Sequence, residues 1–527
     1  MKNSKLFLVV LVLAVVLCSA IAVSAADDDW ASTLVIAADS DPASIDPAFD
    51  KAYPVGCEII INIFDTLVAW KAPDYTELEG RLAETWSVSD DGKTYTFNIR
   101  QGVKFHDGTD VNAEAVKTAL ERTKTESSYM QKNFGYIESM NVLDDYTLEI
   151  NLTEAISVFL SWLAMPEASI VSPTAVETLG EDFSTHPVGS GPFIFESYVP
   201  DTEVVLKANH DYWRGAPQIE TIVYRIIPDA STRRLELEAG NVDLCQQNGQ
   251  ISSLPVEDIK AFESNPDIEV ISVQSQIIRE LAFNNNSETS PVATNKKLRE
   301  AMAHAVDYDG IVEYILGGTA SRVYGPITTN SWAFNEDILV DSPYTYDPDL
   351  AKELLAEAGY APGELSFNIY TFQGTLWGMV ATYLQECFAE IGINTEVVQM
   401  EFPPLRDIIV SGDFDIYLGG RQPWYNDPEA HITIDYLSSL ANTAMTMRMP
   451  ENAELDQLIL DAQKASSQEE RVELYGQIQE EIVDEIPALY LFSNNVIVFK
   501  RAEVKGLVVN SAPPLNEYWS VYKEANN

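Results

Sequence analysis

Across residues 346–418 the spacing of apolar residues switches repeatedly between helical and strand periods, and few folds accommodate that order. Tyr346-Asp-Pro-Asp349 caps a helix over 350–358, which Gly359 ends. A strand is predicted over 365–372, a helix over 376–391 stopped by Gly392, and strands over 393–400 and 415–418. This succession implies an open α/β sheet, whose ligands bind beyond strand ends where the strand order reverses.

A second informative stretch is 82–123. Thr94, Thr96 and Asn98 alternate with Tyr95, Phe97 and Ile99, the period of a half-buried strand. Ser89-Asp90-Asp91-Gly92 is turn chemistry, with Gly92 free to take positive φ. After a further turn at His106-Asp107-Gly108, Asn112 is a candidate N-cap for a helix burying Val116, Ala119 and Leu120. Elsewhere the pattern predicts a strand over 33–37, an apolar helix over 55–68, a strand over 280–284, and two strands over 487–492 and 495–499.

The formal charge of −48 excludes nucleic acid and anionic membranes as partners. No HExxH, GxSxG, GxGxxG or CxxC occurs, so the residues offer no catalytic motif and no cofactor site. His106, His186, His210, His304 and His431 show no metal-ligand spacing. Pro187-Val-Gly-Ser-Gly-Pro-Phe193 lacks the GK[ST] of a phosphate cradle.

Lys2 and Lys5 precede an almost wholly apolar run over 6–17, and Ser24-Ala25-Ala26 offers small residues for cleavage. Residues 1–26 therefore read as a signal peptide, with retention as a membrane anchor the alternative. The chain is expected to be exported, to a periplasm or a cell surface. Cleavage would leave Cys57, Cys245 and Cys387, an odd count that argues against a disulfide framework and leaves one pair open.

The stretch 82–123 closely resembles the signature "LAE-W-VS-DG-TYTF-(I/L)R-GVKFHDG-----A--V" of family 5 extracellular solute-binding proteins, the oligopeptide, dipeptide and nickel-binding group serving ATP-driven importers. The 187–193 loop is similar to the family's "PVGTGPY", and Glu280-Leu-Ala-Phe-Asn284 to its "LAFN" crossing between lobes. The resemblance covers about 33–506. It implies a type II, two-lobed periplasmic-binding-protein-like α/β fold with an additional inserted subdomain. Residues 27–65, 184–282 and 494–527 would form the first lobe, 66–183 the insert carrying the signature, and 283–493 the second lobe.

The residues themselves single out Gly419-Gly-Arg421-Gln-Pro-Trp424-Tyr425-Asn-Asp427-Pro-Glu-Ala-His431, read as a loop after a strand. Aromatic surface beside one cation suits a ligand with flat parts and an acidic group; packing against a neighbouring helix is the alternative. The resemblance places the ligand here too, with Tyr53 and Cys57 on a second wall. Asp427-Pro428 keeps the family's DP, but Trp424 stands where peptide binders carry an ammonium-binding aspartate, and Arg421 where they carry tryptophan.

The expected function is capture of a peptide-like solute by hinge closure and delivery to the permease and ATPase subunits of an ABC importer. A nickel or other metal chelate, or another small organic solute, is the alternative occupant. A secreted hydrolase and a signalling receptor are the rivals. The chain is expected to act as a monomer, without enzymatic activity, cofactor or bound metal.

Overall fold

The computed structural model describes residues 31–524 apart from 50–54, 74, 128–129, 246–253, 255, 289, 341, 424, 441–448, 450, 466 and 512–515. The candidate residues Tyr53 and Trp424, and the N-terminal segment 1–26, lie outside the described residues.

The fold is organised around a 14-residue strand, Ala488–Arg501. Its first half pairs antiparallel with Ile278–Phe283, its second half with Ile268–Gln274 and Leu244–Cys245. Beyond Leu244–Cys245 the same sheet continues through the parallel pair Thr33–Ala38 and Thr221–Ile226. On the other side Ile278–Phe283 pairs with Ile416–Arg421, which runs parallel to Ser366–Phe372 and so leads to Asn394–Met400. One mixed sheet of 12 strands results.

Two strands were expected over 487–499 because Ser493 and Asn494 interrupt the apolar run. The structure has one. Ser493 Oγ donates to the Ser275 carbonyl at 2.7 Å, and Asn494 Oδ1 accepts from Arg279 Nε at 2.8 Å. The segment between the two partner strands and the strand Ile278–Phe283 thus satisfy both polar side chains, and the long strand continues through them.

The helix expected over 55–68 ends at Ile63, and Val68–Trp70 is a strand. Gly191 N–H donates to the Ile63 carbonyl at 2.8 Å, giving the last helical turn a partner outside the helix. This approach requires glycine. A Cβ on Gly189 would sit 2.3 Å from the Ile63 carbonyl oxygen, and one on Gly191 2.6 Å from its carbon. The 187–193 loop is therefore a packing joint.

The 82–123 stretch folds as the sequence predicts. Ala83–Val88, Thr94–Ile99, Thr147–Leu152 and Ile137–Asp144 form a separate antiparallel sheet in that order. Tyr95, Phe97 and Ile99 are buried, and the helix Ala113–Glu126 buries Val116, Ala119 and Leu120. Asn112 caps it, accepting from Ala115 N–H at 2.9 Å. His106 joins this unit to the glycine loop, with its N–H donating to the Gly189 carbonyl at 2.8 Å and Nε2 lying 3.0 Å from the Gly191 carbonyl.

Two large apolar cores follow. One gathers residues from 34 to 244 with Tyr425, Ala430, Val498, Val504, Tyr518 and Val521; the other runs from Ile278 to Phe492. Cys57, Cys245 and Cys387 are all buried with free thiols.

Candidate functional site in the cleft between the cores

The chain passes between the two cores at 275–278 and 492–495, and the polar side chains that gather there form the candidate site. Arg421 is not in a loop: it closes the strand Ile416–Arg421, opposite Ile278. The side-chain pattern predicts a strand ending at Leu418, because Gly419 and Gly420 carry no side chain to mark its continuation. Beside Arg421, Arg279 lies in the partner strand, its guanidinium 5.2 Å from the centroid of the Trp377 ring.

Arg421 forms an ion pair with Asp435 of the helix Glu429–Tyr436. Glu280 lies fully buried between these charges. Burial and the Asp435 carboxylate push its acid well above the ordinary range, outweighing the opposing pull of Arg421 and Arg279. Its protonated form is thereby favoured. His431 is held neutral as well, pushed down to about 3 by burial and the Arg421 charge. Arg421 thus pairs with Asp435, while Arg279 donates to Asn494 and stacks on Trp377.

The loop after Arg421 is pinned from three sides. Gln276 Nε2 donates to Asn426 Oδ1 at 2.5 Å, and Asn426 Nδ2 donates to the Tyr75 carbonyl at 2.6 Å. Asp427 is fully buried; Arg471 donates to both its oxygens at 2.9 and 2.5 Å, and Ser161 Oγ to one at 3.0 Å. Tyr425 is buried within the first core and its hydroxyl donates to Glu429. Cys57 is buried on the helix Val55–Ile63, whose neighbouring Glu58 accepts from the Tyr518 hydroxyl at 2.6 Å.

The structure therefore sets Arg421 beside the crossing strands, packs Tyr425 into the first core, and buries Cys57 on its helix. Sequence reasoning missed Arg279, Glu280, Asp435 and Arg471. A signal existed for the first two: adjacent opposite charges inside the apolar run Ile277-Ile-Arg-Glu-Leu-Ala-Phe283. Among the described residues, no group of three or more His, Cys, Asp or Glu is placed to hold a metal ion.

The model of the bacterial extracellular solute-binding proteins, family 5 Middle, matches residues 77–442. That span carries the four-stranded signature sheet, the crossing strand and the Arg421 loop. The chain belongs to this family. The solute-binding protein is 29% identical over 503 residues to the probable D,D-dipeptide-binding periplasmic protein DdpA of Escherichia coli (strain K12), covering 93% of each chain. Among solved structures it resembles HbpA2 from Haemophilus parasuis, with a TM-score of 0.84, 26% identity, and coverage of 94% and 100%. It also resembles the ABC transporter-associated periplasmic binding protein DppA from Helicobacter pylori in complex with the peptide STSA, with a TM-score of 0.73, 28% identity, and coverage of 94% and 98%. The two-lobed type II periplasmic-binding fold implied by the signature is thereby found.

Proposed function

We propose that this solute-binding protein captures a peptide-like solute through a carboxylate at the Arg279–Arg421 floor of the cleft and hands it to the permease of an ABC importer. The observation supporting this reading is the occurrence of two guanidiniums, Arg279 and Arg421, on paired strands beside the crossing. A guanidinium's planar fork of donors is matched to a bidentate carboxylate. The peptide-binding relatives support the solute class.

In this reading residues 27–65, 184–282 and 494–527 form one lobe, with 66–183 inserted, and 283–493 form the other; the two cores support the division except at Tyr425 and Ala430, which pack in the first core. Closure about the crossing strands sequesters the solute without covalent chemistry. Residues 1–26 direct export. Trp424, Tyr425, Tyr53 and Cys57 are the remaining proposed wall residues. A metal chelate with outward carboxylates would present the same charge to Arg279 and Arg421.

Native mass spectrometry of freshly purified protein separates the two solute classes by mass. For a peptide, a C-terminal amide should bind about 10–100-fold more weakly than the free acid, the value of a hydrogen bond to a charged group. Equal binding of acid and amide would refute the carboxylate floor. The solute should be recovered intact after long incubation, and steady turnover would overturn the reading of a pure binder.

A further inference from the structure

The two cores meet at a second place besides the crossing strands. The helices Ala453–Lys464 and Gln468–Glu485 bury Leu455, Ile459, Tyr475 and Ile478 in the second core. The chain opposite them belongs to the first core, where Val158 and Phe159 are buried. Ser157 N–H donates to the Gln463 carbonyl at 2.8 Å and its hydroxyl to the Ala462 carbonyl at 2.9 Å. Ser161 Oγ donates at 3.0 Å to Asp427, which Arg471 of the second helix holds, and Gln468 Nε2 donates to the Thr76 carbonyl at 3.2 Å.

Between these bonds the surfaces do not close. A cavity of about 670 Å³ is lined by Trp86 and Leu160 from the first side and by Lys464 and Gln468 from the second. A gap of that size forfeits dispersion and apolar burial across it, so a few hydrogen bonds rather than packing hold the contact. Such a junction is reversible, since one bond is worth a factor of about 2–12 in an equilibrium. The crossing strands, by contrast, are continuous chain and cannot part. None of the bonded groups belongs to Arg279, Arg421 or the wall residues proposed to meet the solute.

We propose that this seam is a latch, half of it supplied by the 66–183 insert through Thr76, Ser157 and Ser161. Its strength sets the fraction of molecules in the closed, solute-retaining form. Apparent affinity scales with that fraction, so residues that never touch the solute tune its capture. The latch rests on the closure about the crossing strands proposed above.

The test needs no solute. Amide exchange at Ser157, followed by mass spectrometry on the full protein, reports how often the seam parts. Gln468→Ala removes the bond to Thr76 and leaves both Ser157 bonds in place. Exchange at Ser157 should nevertheless quicken about 2–12-fold, because a latch opens as one unit. Ser161→Asp sets a second carboxylate against Asp427 and should hold the seam open, with a larger radius of gyration than wild type in small-angle scattering. Ser157→Ala/Gln468→Ala, which removes one bond at each end, should shift the same readout in the same direction if the aspartate variant does not fold. Unaltered exchange at Ser157 in Gln468→Ala would mean that the bonds fray independently; it would overturn the latch and leave closure standing. Fast exchange with an unchanged radius of gyration in the seam variants would mean that the cores stay together without the seam, striking the closure reading and the latch together.

Discussion

Ser161 and Asp427 stand 266 residues apart in the chain, yet the Ser161 hydroxyl donates to Asp427 at 3.0 Å in a buried setting. Close by, Ser157 N–H donates to the Gln463 carbonyl at 2.8 Å and its hydroxyl to the Ala462 carbonyl at 2.9 Å. The chain around Ser157 and Ser161 is thus fastened to Asp427 and to the helix Ala453–Lys464 by a small polar seam. Removing the Ser161 hydroxyl should cost about 1 kcal/mol, one ordinary hydrogen bond. Asp427→Ala should cost about 3–5 kcal/mol, because it leaves the buried Arg471 guanidinium without its counter-charge. Urea unfolding of both variants checks the order; equal costs would mean that Arg471 finds another partner.

Arg421 has two duties to separate, solute binding and holding Asp435. Arg421→Ala alone should destabilise the protein by about 3–5 kcal/mol by stranding a buried carboxylate. Arg421→Ala/Asp435→Asn removes the pair as a unit and should recover much of that loss. Affinity for a free-acid solute should stay at least about tenfold reduced in the double variant, the loss of a charged hydrogen bond. Restored affinity alongside restored stability would make Arg421 a strut only.

His106 gives the fold an acid-sensitive joint. Burial pushes its imidazole down to about 4, against the backbone hydrogen bond to Gly191 and the Asp107 charge. A folded-state value below the unfolded one contributes stability above about pH 6.5, lost as pH falls towards 4. Between pH 7 and pH 5 this linkage should remove roughly 2 kcal/mol. His106→Gln has no such titration, so its stability deficit against wild type should shrink by that amount over the interval. Unfolding titrations at pH 7, 6 and 5 measure the gap, and a constant deficit would exclude His106 as the source.

Gly189→Ala should be costly although alanine is small. The new Cβ would meet the Ile63 carbonyl oxygen at 2.3 Å, a backbone atom that cannot swing aside. About 1–3 kcal/mol is the usual scale of such overpacking. Thermal melting of this variant should show the loss, and an unchanged midpoint would mean that the 187–193 loop moves away from the helix end.

Where side-chain period decides structure, the chain could be read directly. Tyr95, Phe97 and Ile99 announce one face of the signature sheet, and Asn112 the start of its helix, because both depend on neighbours in sequence. The continuous Ala488–Arg501 strand could not be read that way, since Ser493 and Asn494 are stabilised by Ser275 and Arg279 from more than 200 residues away. The candidate site shows the same divide. Arg421 stood out as a cation among aromatics, but its partner Asp435 is one of 81 acids, and only the helix that follows the loop brings it near. The sequence pattern puts Glu280 only at the start of a strand; the upward shift of its acid comes from burial that only the assembled sheet creates.

The passage between the cores consists of extended chain that remains hydrogen-bonded to its neighbours on both sides of the crossing. Such a ribbon resists stretching and sliding but yields to torsion, because twisting bends every ladder bond slightly whereas sliding must break several at once. Opening should therefore be a rotation about the ribbon axis with strand register preserved. The Ser275–Ser493 hydrogen bonds tie the two segments together at the crossing, so such a rotation would have to strain them.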